Sequence, residues 1–240
     1  MLAGTKAVVT VFLIGHLLPM RGRVAILAIM RQENYTTGEM GPVDRQRGPV
    51  EHERREQIIA AAGEHFRHYG YEKTTVSDLA KAIGFSKAYI YKFFDSKQAI
   101  GAAICNMVLT EISGAAEAIV AEDKSASEKL RRIFKVIAHR SGDMFFHERK
   151  MHDLAATSLK EGWSSTCHYK ERLFAIALAV LREGRESGEF ERKTPLDETA
   201  RAVMLALDCV THPAVLLTRL DTLEEDAGLL ANLVLRSLSP

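Results

Sequence analysis

Residues 74–100 read TTVSDLAKAIGFSKAYIYKFFDSKQAI, and this stretch decides the fold. Thr75 with Asp78 three positions on is a capping-box start, and Val76, Leu79, Ala80 and Ile83 then recur at helical spacing. Gly84 stops that helix, Ser86 caps a second one over Lys87 to Phe94, and Asp95-Ser96-Lys97-Gln98 opens a third. Two short helices joined across Gly84-Phe85, with small Ala80 at their crossing and Ile83, Ile90 and Phe93 turned inward, make a helix-turn-helix. Its outward residues, Lys87, Tyr89, Tyr91 and Lys92, suit a DNA major groove: lysines for phosphates and base acceptors, aromatic edges for hydrogen bonds and methyl contacts.

Upstream, EHERREQIIAAAGEHFRHYG starts a helix near His52 with Ile58, Ile59, Ala62 and Phe66 on one stripe and Gly70 as its cap. Downstream, the third helix runs from about Lys97 to Ala121, and Ser125 with Glu128 caps another toward His139. Ser141-Gly142 reads as a break or kink, followed by an amphipathic stretch from Phe146 to Leu159 and a long periodic run from Trp163 to Glu186. Thr194 reads as the cap of a helix with Pro195 in its first turn, and Thr222 with Glu225 starts the last one. No run alternates with strand period, so the fold class is all-α.

The helix-turn-helix is locally basic. From Gln57 to Lys97 there are six Lys or Arg against four acids, whereas residues 98–240 hold 18 basic and 21 acidic side chains, and the total formal charge is only +1. Cys105, Cys167 and Cys209 are odd in number and far apart, which argues against a disulfide framework or zinc finger and for a cytoplasmic protein. The uncharged run Ala7 to Met20 falls short of the roughly 20 apolar residues a membrane span needs. Residues 1–50 are therefore read as a flexible N-terminal extension, with Met20, Met30 and Met40 as later in-frame starts; residues 51–97 as the DNA-binding domain; and residues 98–240 as a second helical domain.

The stretch quoted above resembles the signature of TetR/AcrR-type transcriptional regulators, over about Arg54 to Ile100. That resemblance implies a homodimer on double-stranded, palindromic operator DNA. It assigns phosphate contacts to Thr75, Tyr91 and Lys97, and base or phosphate contacts to Lys87, Ala88, Tyr89 and Lys92, beside the Ser86 cap. Tyr89 departs from the small residue usual in that family, which bears on the operator sequence. The resemblance further implies a four-helix dimer interface from about Pro195 to Leu217 and Leu223 to Leu238. An intramolecular core is the competing explanation for the same apolar residues.

It also implies a cavity for a small-molecule effector among the helices near Ile133 to Leu178. Residues pairing apolar bulk with isolated polar groups are the candidate lining: Met144, Phe145, His152, Thr157, Trp163, Cys167, His168, Phe174, Asp208 and His212. His147, His152 and His168, with Asp208 and His212, raise the alternative of a metal-binding protein, but their spacing matches no fixed metal motif and no cofactor is expected. The chain has no GxSxG, P-loop or GxGxxG, so an enzyme is not expected either. The reading is a DNA-binding regulator, a repressor released by its effector; the competing reading is a regulator that responds to no ligand.

Overall fold

The computed structural model describes residues 49–240, and residues 53–240 pack as one unit. The run Ala7 to Met20 and the in-frame methionines lie outside the described residues. Among the described residues the regular structure is helical: α1 (Pro49–Tyr69), α2 (Val76–Ile83), α3 (Lys87–Ile90), α4 (Lys97–Val120), α5 (Ala126–His147), α6 (Arg149–Glu161), α7 (Ser164–Glu186), α8 (Leu196–Thr211), α9 (Pro213–Arg219), a 3-10 turn (Leu220–Thr222) and α10 (Leu223–Ser237).

Local chemistry sets most of these starts. In α2 the Thr75 hydroxyl accepts the Asp78 N–H at 3.2 Å while the Asp78 carboxylate accepts the Thr75 N–H at 2.9 Å, a reciprocal capping box. The Ser86, Ser96 and Ser125 hydroxyls accept the N–H three residues on, at 3.1, 3.0 and 3.2 Å, and so open α3, α4 and α5. Gly84 closes α2 at φ 77°, a left-handed conformation that costs any side-chain-bearing residue more.

Two apolar clusters hold the helices together. In the first, Ile58, Phe66, Leu79 and Ile90 of α1 to α3 pack with Ile100 and Ile104 of α4, and Met151, Leu154 and Trp163 close it from the α6–α7 side. In the second, Phe134 and Ile137 of α5, Val180 and Leu181 of α7, Val203 and Leu207 of α8 and Ala231 of α10 converge. Ala116 and Ile119 bring the far end of α4 into this second cluster, so one helix joins both. Among the described residues α4 is the helix long and apolar enough to cross a membrane, and its double burial accounts for that composition. Beside the second cluster Lys129, 4% exposed, places its Nζ 2.7 and 2.9 Å from the two Glu183 carboxylate oxygens.

Four sequence expectations need correction. Ser141-Gly142 does not break α5: Ser141 is buried, and a Cβ on Gly142 would lie 2.9 Å from Leu223 Cδ2, so the glycine serves close helix packing. Thr194 does not cap α8. Pro195 is the N-cap without a side-chain bond, and the Thr194 backbone is held by the Glu191 carboxylate and the Arg185 guanidinium. The helix expected from Pro195 to Leu217 is two, because Pro213 drives His212 to ψ 124° and separates α8 from α9. The second helix of the helix-turn-helix is also short, ending at Ile90 and continuing as turns to Phe93.

Candidate functional site

The helix-turn-helix presents a basic, aromatic surface. Thr75, Ser86, Lys87, Ala88, Tyr91 and Lys92 are exposed, Tyr89 and Lys97 half-buried. The Tyr89 ring stands between Phe85 and Phe93, at centroid distances of 4.8 and 5.4 Å, and Lys92 Nζ lies 5.6 Å above it. Lys87 Nζ lies 5.8 Å from the Tyr91 ring. These ring contacts pre-orient both lysines while leaving their ammonium protons for an anion. The Thr75 hydroxyl beside Asp78 holds that carboxyl below the usual carboxylate range, so it stays ionised and keeps α2 capped. The start of α2 and α3 with its turn thus contribute the exposed side chains of this surface; Lys97, at the start of α4, is turned otherwise.

Lys97 is anchored within the fold. Its Nζ donates to the Tyr71 carbonyl at 3.0 Å and sits 4.2 Å from the centre of the Tyr71 ring. Tyr71 packs edge-on against Phe66 and against Trp163, both with centroids 5.3 Å apart, and Trp163 Nε1 donates to Glu161 at 2.7 Å. Burial, with the charges of Glu161 and Glu72, pushes the Tyr71 phenol up to about 12. A Cβ at Gly101 would lie 2.9 Å from Tyr71 and 3.0 Å from Trp163, so the glycine lets α4 approach both rings. Tyr71 and Trp163 thus form a joint between the start of α4 and the α6–α7 corner. Sequence reasoning missed Tyr71; an aromatic right after the Gly70 stop of α1 was the available sign.

A cavity of about 60 Å³ lies among α4, α5, α6, α7 and α8. Leu109, Ile112, Met144, Leu159, Leu173 and Met204 give it apolar walls, and Asp208 and His212 line it from the end of α8. Of the residues expected there, Met144, Asp208 and His212 are in the lining. The other seven lie elsewhere. Trp163 belongs to the joint, and Phe145 packs its ring 4.8 Å from that of buried His152. Thr157 donates to the Asp153 carbonyl, and Phe174 packs on the rim of the second apolar cluster. Cys167 and His168 are exposed, His168 in a separate cleft beside Arg55 and Asn106.

Thr166, Tyr169, Lys170 and Leu173 also line the cavity, at positions i, i+3, i+4 and i+7 of α7. That spacing marks one face of a helix and could have been read from the sequence. Neither ring nitrogen of His152 has a hydrogen-bond partner, and burial pushes its pKa down against the pull of Asp153. Among the described residues no three or more His, Cys, Asp or Glu side chains are arranged to hold a metal ion.

Comparison with known proteins adds the family. Residues 58–104 match the profile of bacterial regulatory proteins of the tetR family, and residues 126–228 match a tetracyclin repressor-like C-terminal domain. The chain belongs to the TetR family. It is a DNA-binding transcriptional regulator, with the matched N-terminal helices carrying the helix-turn-helix. Among solved structures it resembles the TetR family regulator PfmR from Thermus thermophilus, at 29% identity and a TM-score of 0.53, over 76% of this chain and 99% of that one. A TetR/AcrR family regulator from Thermobifida fusca gives 25% identity and a TM-score of 0.58, over 76% and 97%. FadR from Bacillus subtilis, solved in complex with stearoyl-CoA, shares the TetR fold at 22% identity and a TM-score of 0.55, over 75% and 95%. No curated protein matches the chain significantly.

Proposed function

We propose that this TetR-family protein is a cytoplasmic homodimeric repressor that leaves a palindromic operator when a small molecule enters the α4–α8 cavity, and that it catalyses no reaction. One observation carries the reading. Helix α4 begins with Lys97 beside the helix-turn-helix and, about 18 to 22 Å along at roughly 1.5 Å per residue, presents Leu109 and Ile112 to the cavity. A ligand that moves the cavity segment of α4 therefore moves its start, and with it the Tyr71–Trp163 joint. In a dimer this changes the separation of the two α3 helices, which must match half-sites one DNA turn apart. A ligand that prefers the non-binding separation shifts the population toward it.

The dimer reading rests on Leu205 of α8 and Leu229 and Leu233 of α10, which are 69, 60 and 63% exposed. Large apolar side chains in that number on two C-terminal helices suit burial against a second copy. On the DNA side, Thr75 and Tyr91 are assigned to phosphates, and Lys87, Ala88, Tyr89 and Lys92 to bases or adjacent phosphates, next to the Ser86 cap; Lys97, whose ammonium is held by the Tyr71 carbonyl, reaches a phosphate only if it gives up that bond.

The test is a fluorescence-anisotropy titration of the full chain against its own upstream DNA and a scrambled duplex at two salt concentrations. Selective binding that weakens with salt is expected. Lys92→Ala should lower affinity on both duplexes and reduce the salt slope by about one unit, as the loss of one phosphate contact does. Equal, salt-insensitive binding to both duplexes overturns the reading.

A further inference from the structure

The cavity's polar groups differ in whether they are already engaged. Thr211 Oγ1 donates to the Leu207 carbonyl at 3.0 Å, and Thr166 Oγ1 is hydrogen-bonded to Ser158. His212 Nδ1 accepts the Ala214 N–H at 3.2 Å, which caps α9. The half-buried Asp208 carboxylate lines the same wall and, among the described residues, has neither a hydrogen bond nor an ion pair to its side chain. Tyr169 lines the same cavity, and its phenol pKa is raised by burial first and by the charge of Asp208 second.

A second observation points the same way. Asp208 lies in the last turn of α8, where the free carbonyls already carry partial negative charge, and no basic residue of that turn offsets it. Helix ends of this kind favour cations, and here a carboxylate is added to one. One lysine, Lys170, also lines the cavity, but it is an exposed residue with no ion pair among the described residues, and its long stem lets the ammonium stay in water. The remaining wall, from Leu109, Ile112, Met144, Leu159 and Met204, is apolar.

We propose that the effector is an amphipathic cation: a protonated nitrogen held by Asp208 and the carbonyl end of α8, on an apolar body that fills the wall formed by α4, α5 and α6. This rests on reading the cavity as the effector site. The apolar body supplies most of the burial, and the charged nitrogen supplies selectivity, because an anionic head group is repelled by Asp208 and a neutral one leaves its charge uncompensated.

Three probes with one chain length separate the possibilities: octylammonium, octanol and octanoate, titrated calorimetrically into the full chain at pH 7. Octylammonium is expected to bind tightest. Asp208→Asn should weaken it about ten- to a hundred-fold, the range for one charge-assisted hydrogen bond, while octanol binding stays unchanged and shows that the cavity is intact. Tightest binding by octanoate, lost in Lys170→Met, overturns the cationic assignment and leaves the effector cavity standing. Octylammonium affinity unaltered by Asp208→Asn overturns the role of Asp208. If octanol and octylammonium both fail to bind the unsubstituted protein, the cavity reading falls with the proposal.

Discussion

Two glycines in α4 make the same substitution give opposite results. At Gly114 an added Cβ meets nothing within 4 Å, so Gly114→Ala should register helix propensity alone, a gain of about 0.8–1 kcal/mol. Gly101 is buried in the same helix and stands to gain as much from propensity. Its new Cβ, however, would lie 2.9 Å from Tyr71 Cε2 and 3.0 Å from two Trp163 ring atoms. Both rings are stiff and buried and cannot move aside as a lysine tip would, so the overpacking penalty of about 1–3 kcal/mol applies. The balance for Gly101→Ala is a loss of about 0–2 kcal/mol, against a gain of about 1 kcal/mol for Gly114→Ala. For a protein of this size each kcal/mol moves Tm by roughly 2–4 °C, so the two melts should separate by several degrees. Thermal denaturation followed by circular dichroism, at one protein concentration, reads this directly. Equal stabilisation by both substitutions would refute the close packing of α4 on the joint.

Breaking the Lys129–Glu183 pair with Lys129→Ala should cost about 1–3 kcal/mol, mostly from the lost packing of the buried lysine stem, because the Glu183 carboxylate it leaves behind is 40% exposed and reaches water; Lys129→Met, which keeps the stem, should cost less in urea unfolding. His152 favours the neutral ring in the fold. Below the ordinary imidazole pKa of about 6.5 the unfolded chain binds a proton that the folded chain resists, so stability should fall as pH drops through that region. The fall should flatten in His152→Gln, and a pH profile of the melting temperature identical to that of the unsubstituted protein would sink this assignment. Leu233→Glu, at an exposed site on α10, should leave the monomer fold intact by circular dichroism yet halve the mass measured by light scattering. An unchanged mass there would move the dimer interface elsewhere.

The helix-turn-helix was legible because its signals are local. Thr75 with Asp78, Gly84, Ser86 and Ser96 each act within three or four residues, and the structure uses all of them. Positions whose role depends on a distant partner were not legible. Gly142 looks like a helix breaker until Leu223, far along the chain, is seen to pack on it. The cavity was half read for the same reason. Asp208 and His212 are an i, i+4 pair that stands out in sequence, but their partners on α4 are ordinary core residues, Leu109 and Ile112, until three other helices enclose them. Trp163 looked like lining because it is large and near the right helices. Its place in the joint depends on Tyr71, a whole domain earlier in the chain, and on a glycine that leaves room for both.

Trp163 is the only tryptophan in the chain. Its indole is 2% exposed, hydrogen-bonded to a carboxylate and set against a tyrosine ring at the point where α4 meets the α6–α7 corner. The molecule therefore carries its own optical gauge. Selective excitation of the indole reports one location, and a shift of α4 alters the polarity around it, its carboxylate partner and energy transfer from Tyr71 all at once. Emission wavelength and lifetime of the unlabelled protein thus give a continuous readout of the joint, during ligand titration or DNA capture, without a dye to perturb it.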